Sequence, residues 1–174
     1  MAENKEAPSL SSRFGAPKEF RFTVPPFYKH EEQIDNFHRM IAGKETVFCF
    51  DDRMSGEHFP EASHRIVAGR RYVVCLYPVL RMVSTAQCLD FLEDEQALLV
   101  GLHGLTLLYQ MESRHVARGR HVVSFDVAEK LWKDEHNKTR VPVMNNDNQI
   151  FLFDLSFFHA TWTPSFDLLC FKEA

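Results

Sequence analysis

"TRVPVMNNDNQIFLFDLSFF", Thr139 to Phe158, decides the fold. Its second half sets Phe151, Phe153, Leu155 and Phe157 at alternate positions, the period of a strand with one buried face. Its first half, "TRVPVM", is rich in β-branched residues. Between them "NNDN" supplies side chains that tolerate positive φ and imitate backbone turns. Two such runs around a short turn make an antiparallel hairpin. "FDLLCF", Phe166 to Phe171, follows as a further strand.

Working back along the chain, helices and strands do not alternate. "RHVVSFD" reads as a strand, and Asp126 with Glu129 offers a capping box for a helix over "VAEKLWKDE", with Leu131 and Trp132 inward. "LHGLTLLYQME" reads as a helix carrying Leu105, Leu108 and Tyr109 inward, and "ALLVG" before it as a strand or a buried turn of chain. "VSTAQCLDFLEDE" has Ser84 as N-cap and Gln87 at the capping-box position, predicting a helix over 85–95. "RRYVVCLYPVL" is an apolar, β-branched strand whose Pro78 implies an edge position or a bulge near its end. "ETVFCF" is a short strand, and Ile34, Phe37 and Ile41 space a helix that stops at Gly43. Residues 1–25, with three prolines and no apolar period, read as a flexible arm, and 26–174 as one domain. A run of helices and strands without βαβ alternation predicts a single α+β domain with a mostly antiparallel sheet and three to four helices.

Sixteen phenylalanines among 174 residues point to a core built on aromatic rings. The formal net charge of −4 leaves no global basic field for nucleic acid or an anionic membrane. No apolar run approaches the roughly 20 residues that cross a bilayer, and no secretory pattern opens the chain, so the expectation is a cytoplasmic protein with no membrane. Cys49, Cys75, Cys88 and Cys170 lie far apart among apolar neighbours and read as buried, reduced thiols.

Four pieces, "EHFP" (Glu57 to Pro60), "VSTAQCLDFL", "LWKDEHNKTRVPVM" and "FDLLCFK", resemble those of a group of short bacterial proteins with no assigned function. That resemblance implies no activity. The order of a strand, two consecutive helices and a terminal meander is similar to that of C-type-lectin-like domains. It implies that "YVVCLY" lies beside "LLCFK". The disulfide pattern and the calcium-binding triplets of that family are missing here, so carbohydrate binding is not implied.

Two stretches are dense in chemistry-bearing residues. "FDDRMSGEHFPEASHR", Phe50 to Arg65, offers Asp51, Asp52, Glu57, His58, Glu61 and His64. The six-residue step from His58 to His64, interrupted by Pro60, fits no metal-ligand spacing, so a solvated loop anchored by Phe59 and Pro60 is preferred. "ESRHVARGRH" carries Arg114, Arg118 and Arg120, a patch suited to phosphate or an acidic partner. "FFHATWTPSF" gathers Phe158, His159 and Trp162 in a cluster able to serve recognition if exposed.

The leading expectation is a non-enzymatic domain without cofactor or metal that binds a protein partner, or itself. Its face would bear Phe158, His159, Trp162, Arg114, Arg118 and Arg120. The alternative is a metal-dependent or acid/base hydrolase using Asp51, Asp52, His58 and His64, which requires those groups to converge. Nucleic-acid binding through Arg114, Arg118 and Arg120, with Arg70 and Arg71, is the weaker alternative.

Overall fold

The computed structural model describes residues 10–174. Nine strands run in chain order: β1 (Lys18–Thr23), β2 (Val47–Phe50), β3 (Arg71–Pro78), β4 (Val83–Ser84), β5 (His121–Val123), β6 (Arg140–Asp147), β7 (Ile150–Phe157), β8 (Thr161–Trp162) and β9 (Phe166–Glu173). Three α-helices accompany them: α1 (Gln33–Ile41), α2 (Thr85–Asp94) and α3 (Gly101–Glu112). Seven strands form one sheet in the order β1-β3-β9-β5-β6-β7-β2, and β4 pairs with β8 as a separate ribbon. Only β9–β5 and β7–β2 are parallel, so the domain is α+β with a mostly antiparallel sheet.

The hairpin forms as its alternation demands. Asp147 opposes Ile150, and the two turn residues Asn148 and Gln149 both have positive φ, the geometry of a tight hairpin. Asn145 and Asn146, expected in the turn, belong instead to β6. Phe151, Phe153 and Leu155 are buried, but Phe157, at the strand end, is exposed beneath the Arg140 guanidinium, 3.8 Å from its ring centre.

The sheet is covered on both sides. On one face α3 and α1 lie over the hairpin and β9, and the rings of Phe37, Tyr109, Phe151 and Phe153 pack at 4.9–5.6 Å. On the other face α2 lies over β3, with Phe91 edge-on to Tyr77 at 4.9 Å and Glu95 bonded to Lys172. The α2 capping box is present as expected, with Ser84 Oγ accepting from the Gln87 amide and Gln87 Oε1 from the Ser84 amide.

Helix α3 comes close to the sheet because Gly104 has no side chain. A Cβ there would lie 2.2 Å from Val100 Cγ2 and 3.2 Å from the Phe171 ring. Gly104→Ala is therefore expected to cost about 1–3 kcal/mol through overpacking, read as a lower urea midpoint.

Three expectations are corrected. The arm over 1–25 is structured from residue 10 onward: β1 forms the sheet edge and Phe14 stacks on Phe91. The sequence "EFRF" alternates charge and ring, which suits an edge strand with one covered side; residues 1–9 lie outside the described residues. The helix over "VAEKLWKDE" is only a 3₁₀ turn, Ala128–Lys130. Asp126 does not cap it with a capping box but accepts from the Ser63 amide and hydroxyl, and Asp134 draws the following chain into a turn by accepting from the His136 and Lys138 amides. Pro78 ends an interior strand, not an edge. Val79 N–H donates to Phe166 O, so the alternation turns the Pro78 nitrogen away from β9, and no ladder bond to β9 is lost.

The pairing of β3 with β9, implied by the C-type-lectin-like element order, is present. That pairing alone does not establish a lectin-like topology.

Candidate functional site

The polar loop of residues 51–64 does not assemble a site. Asp51 is held by Arg53 through its guanidinium and amide, and these bonds keep its carboxyl below the usual range. His58 Nδ1 lies 2.9 Å from Ser55 Oγ, and its ring sits edge-on to Trp132 at 5.1 Å. His64 Nδ1 accepts from the Leu99 amide at 3.0 Å, so it has no free lone pair on that nitrogen. Glu61 pairs with Lys130, and Asp52 is exposed. Among the described residues no group of three or more His, Cys, Asp or Glu is placed to hold a metal. Phe59 is buried and anchors the loop as expected, but Pro60, expected to anchor beside it, is exposed.

The expected aromatic and arginine face is divided. Trp162 is 0% exposed: its Nε1–H donates to Thr85 Oγ1 at 2.9 Å, and its ring meets Phe125 and Phe166 edge-on. It is core because the β4–β8 ribbon folds it under α2. Arg120 is also structural, donating to both Asp167 oxygens and to the Pro164 and Phe166 carbonyls. Arg70 pairs with Glu173. Phe158 and His159 line a cavity of about 460 Å³ with Asn137, Lys138 and Phe157 at the open end of the hairpin. Arg114 and Arg118 line another, of about 510 Å³, at its tip. Eight strand residues at about 3.3 Å each hold these two places roughly 25 Å apart.

The cleft at the tip is the larger of the two. It opens where α3 ends and the chain turns back toward β5. Tyr109 and Phe151 are buried at its floor, Thr46 borders it, and Ser113, Arg114, Ala117 and Arg118 form one wall. Tyr109 Oη lies 3.0 Å from Thr46 Oγ1, which fixes the phenol.

The loop carrying the arginines is held at several points. Asn146 Nδ2 donates to Val116 O at 2.7 Å, Asn146 O accepts from Gly119 N at 2.7 Å, and Asn146 Oδ1 accepts from Gln149 N. One buried asparagine thus ties the loop to the hairpin tip. Gly119, at φ +70°, makes the bend that turns Arg118 outward. His115 stacks on Phe20 at 4.2 Å, and Lys18 donates to the His115 carbonyl, which secures the loop's other end.

The two arginines differ electrically. Arg114 spends Nε and Nη2 on Glu112, at 3.1 and 3.0 Å. His115 Nε2 is also 3.2 Å from that carboxylate, and burial with neighbouring Lys18 pushes the imidazole pKa down. Arg118 is exposed and makes no ion pair or side-chain hydrogen bond among the described residues, leaving its donors open at the mouth of the cleft.

The sequence pointed to Arg114 and Arg118 but not to Tyr109, Thr46, Asn146 or Phe151. Tyr109 was legible only as a core position, and Asn146 was hidden in a run of turn residues. Compared with protein-family models, curated proteins and solved structures, the chain matches none, so the cleft stands on its own geometry.

Proposed function

We propose that this chain is a non-enzymatic binding domain that receives an acidic segment of a protein partner in the cleft between the end of α3 and the β6–β7 tip. The observation that supports it is the exposed Arg118 guanidinium, without a carboxylate of its own among the described residues, at the mouth of a preformed cleft floored by Tyr109 and Phe151. An exposed guanidinium fork recognises a carboxylate with two parallel hydrogen bonds, and an aromatic floor takes the aliphatic stem of a Glu or Asp side chain. A cleft of about 510 Å³ accommodates two or three residues of such a segment. The acidic net charge of the whole chain works against a polyanion such as nucleic acid, whereas a short acidic segment meets only the local field.

The test is fluorescence anisotropy of a labelled glutamate-rich peptide, with its glutamine counterpart as control. Binding to the glutamate peptide is expected to weaken about tenfold in Arg118→Ala, a loss of about 1.4 kcal/mol, and to weaken further in Arg118→Glu. Arg114→Ala should cost less, because Glu112 already takes two of its five N–H donors. Equal binding of both peptides, or no effect of Arg118→Glu, overturns the reading. Tighter binding of a single-stranded oligonucleotide with a steep salt dependence would replace it with nucleic-acid recognition.

A further inference from the structure

We propose that Cys75 and Cys170 are a peroxide-sensitive dithiol that closes to a reversible disulfide between β3 and β9. The pair lies well away from the acidic-segment cleft and stands independently of it. Cys75 in β3 and Cys170 in β9 occupy directly opposed register positions of an antiparallel pair. Opposed residues in such a pair have Cα atoms about 4.5 or 5.5 Å apart, both within the range a disulfide spans.

The hydrogen-bond phase sets which spacing applies. Val79 donates to the carbonyl of its opposed residue Phe166, so alternate pairs outward from it, including Cys75 with Cys170, are of the hydrogen-bonded class with the wider spacing.

The surroundings suit thiol chemistry. Cys75 Sγ–H is 3.6 Å from Glu19 Oε1, on the exposed edge strand β1. Lys172, two residues beyond Cys170, places an ammonium nearby, held by Glu95 at 2.7 Å and Tyr77 at 2.9 Å. Cys170, then Lys172, pull the Cys75 thiol below its ordinary pKa against burial and Glu19, while Cys75 and burial push Cys170 up. Both sulfurs are shielded from solvent, which excludes bulky disulfide oxidants and leaves small hydroperoxides.

The steps balance. Cys75 thiolate attacks one oxygen of hydrogen peroxide, forming S–O and breaking O–O; hydroxide leaves and takes up the proton released when the Cys75 thiol ionised. Cys170 sulfur then attacks the Cys75 sulfenic acid, forming S–S and breaking S–O, and the departing hydroxide takes the Cys170 proton. Two thiols and one peroxide give one disulfide and two waters.

The experiment treats native protein with hydrogen peroxide, blocks remaining thiols and maps peptides without reduction. A linked peptide containing Cys75 and Cys170, two hydrogens lighter and released by dithiothreitol, is expected. Exposed Cys49 and buried, isolated Cys88 serve as internal comparisons, burial holding Cys88 up at about 12. Lys172→Gln should slow formation of the link about tenfold. Peroxide that modifies Cys49 while Cys75 and Cys170 stay free, or a link whose rate is unchanged by Lys172→Gln, overturns the proposal.

Discussion

Trp162→Ala is expected to remove about 3–5 kcal/mol of folding stability, much of what a domain of this size possesses. The indole is the largest fully buried side chain, and its loss leaves a void between Phe125 and Phe166, whose rings stand 5.2 and 5.1 Å from it. Thr85 Oγ1 also loses its indole donor while still bonded to the Phe158 carbonyl. Since Thr85 begins α2 and Trp162 pairs with Val83, the damage spreads to the seat of that helix. Urea denaturation should show a lower midpoint with an unchanged slope. Phe157→Ala, at a side chain 50% exposed, should cost less than about 1 kcal/mol. A Trp162→Ala cost as small as that would show that the ribbon is not a clamp.

Acid is expected to destabilise the domain well above the range of ordinary carboxylates. His30 and His103 are buried and stacked, ring centres 4.0 Å apart. His30 Nδ1 accepts from the Ile66 amide and bonds to the Tyr28 hydroxyl, so the neutral ring carries its proton on Nε2. Burial, then Arg65, lower His30 to about 4; burial, then His30, lower His103 to about 3. The unfolded chain, with imidazoles near 6.5, binds protons that the folded chain refuses. Their contribution is complete above about pH 6.5, falls as pH drops toward 4 and then 3, and levels off below.

Uptake of one proton gives a slope of about 1.4 kcal/mol per pH unit, and two give about 2.7. Asp126, raised by burial, acts in the opposite sense and blunts the lower part of the curve. Urea midpoints measured from pH 7.5 to 4.5 check this, with His103→Phe expected to lower the midpoint at neutral pH and flatten the slope by about one proton. A flat profile in the wild type would mean that both rings take up protons in the folded chain as they do in the unfolded one.

Legibility followed the range of the interactions. The hairpin, α2 and the stripe of α1 were readable because alternation, a capping box and Ile34, Phe37 and Ile41 are local signals. The fate of Asp126 was not, because Ser63, the residue that takes its carboxylate, lies far back in the chain. Trp162 looked like a recognition residue for the same reason: its partners Phe125 and Thr85 are distant in sequence. Arg114, Arg118 and Arg120 looked equivalent until Glu112 and Asp167 claimed two of them. Cys49 read as a buried thiol like the other three, yet it is exposed because β2 is the sheet's other edge.

The strand order has a consequence for the timing of synthesis. Strand β9, last of the nine in the chain, sits between β3 and β5. On a translating ribosome β1–β3 and the β5–β6–β7–β2 group emerge as two partial sheets with no direct pairing between them. Each presents an open inner edge until residues 166–173 arrive. Nascent chains halted before Phe166 are thus natural clients for chaperones that cover exposed strand edges.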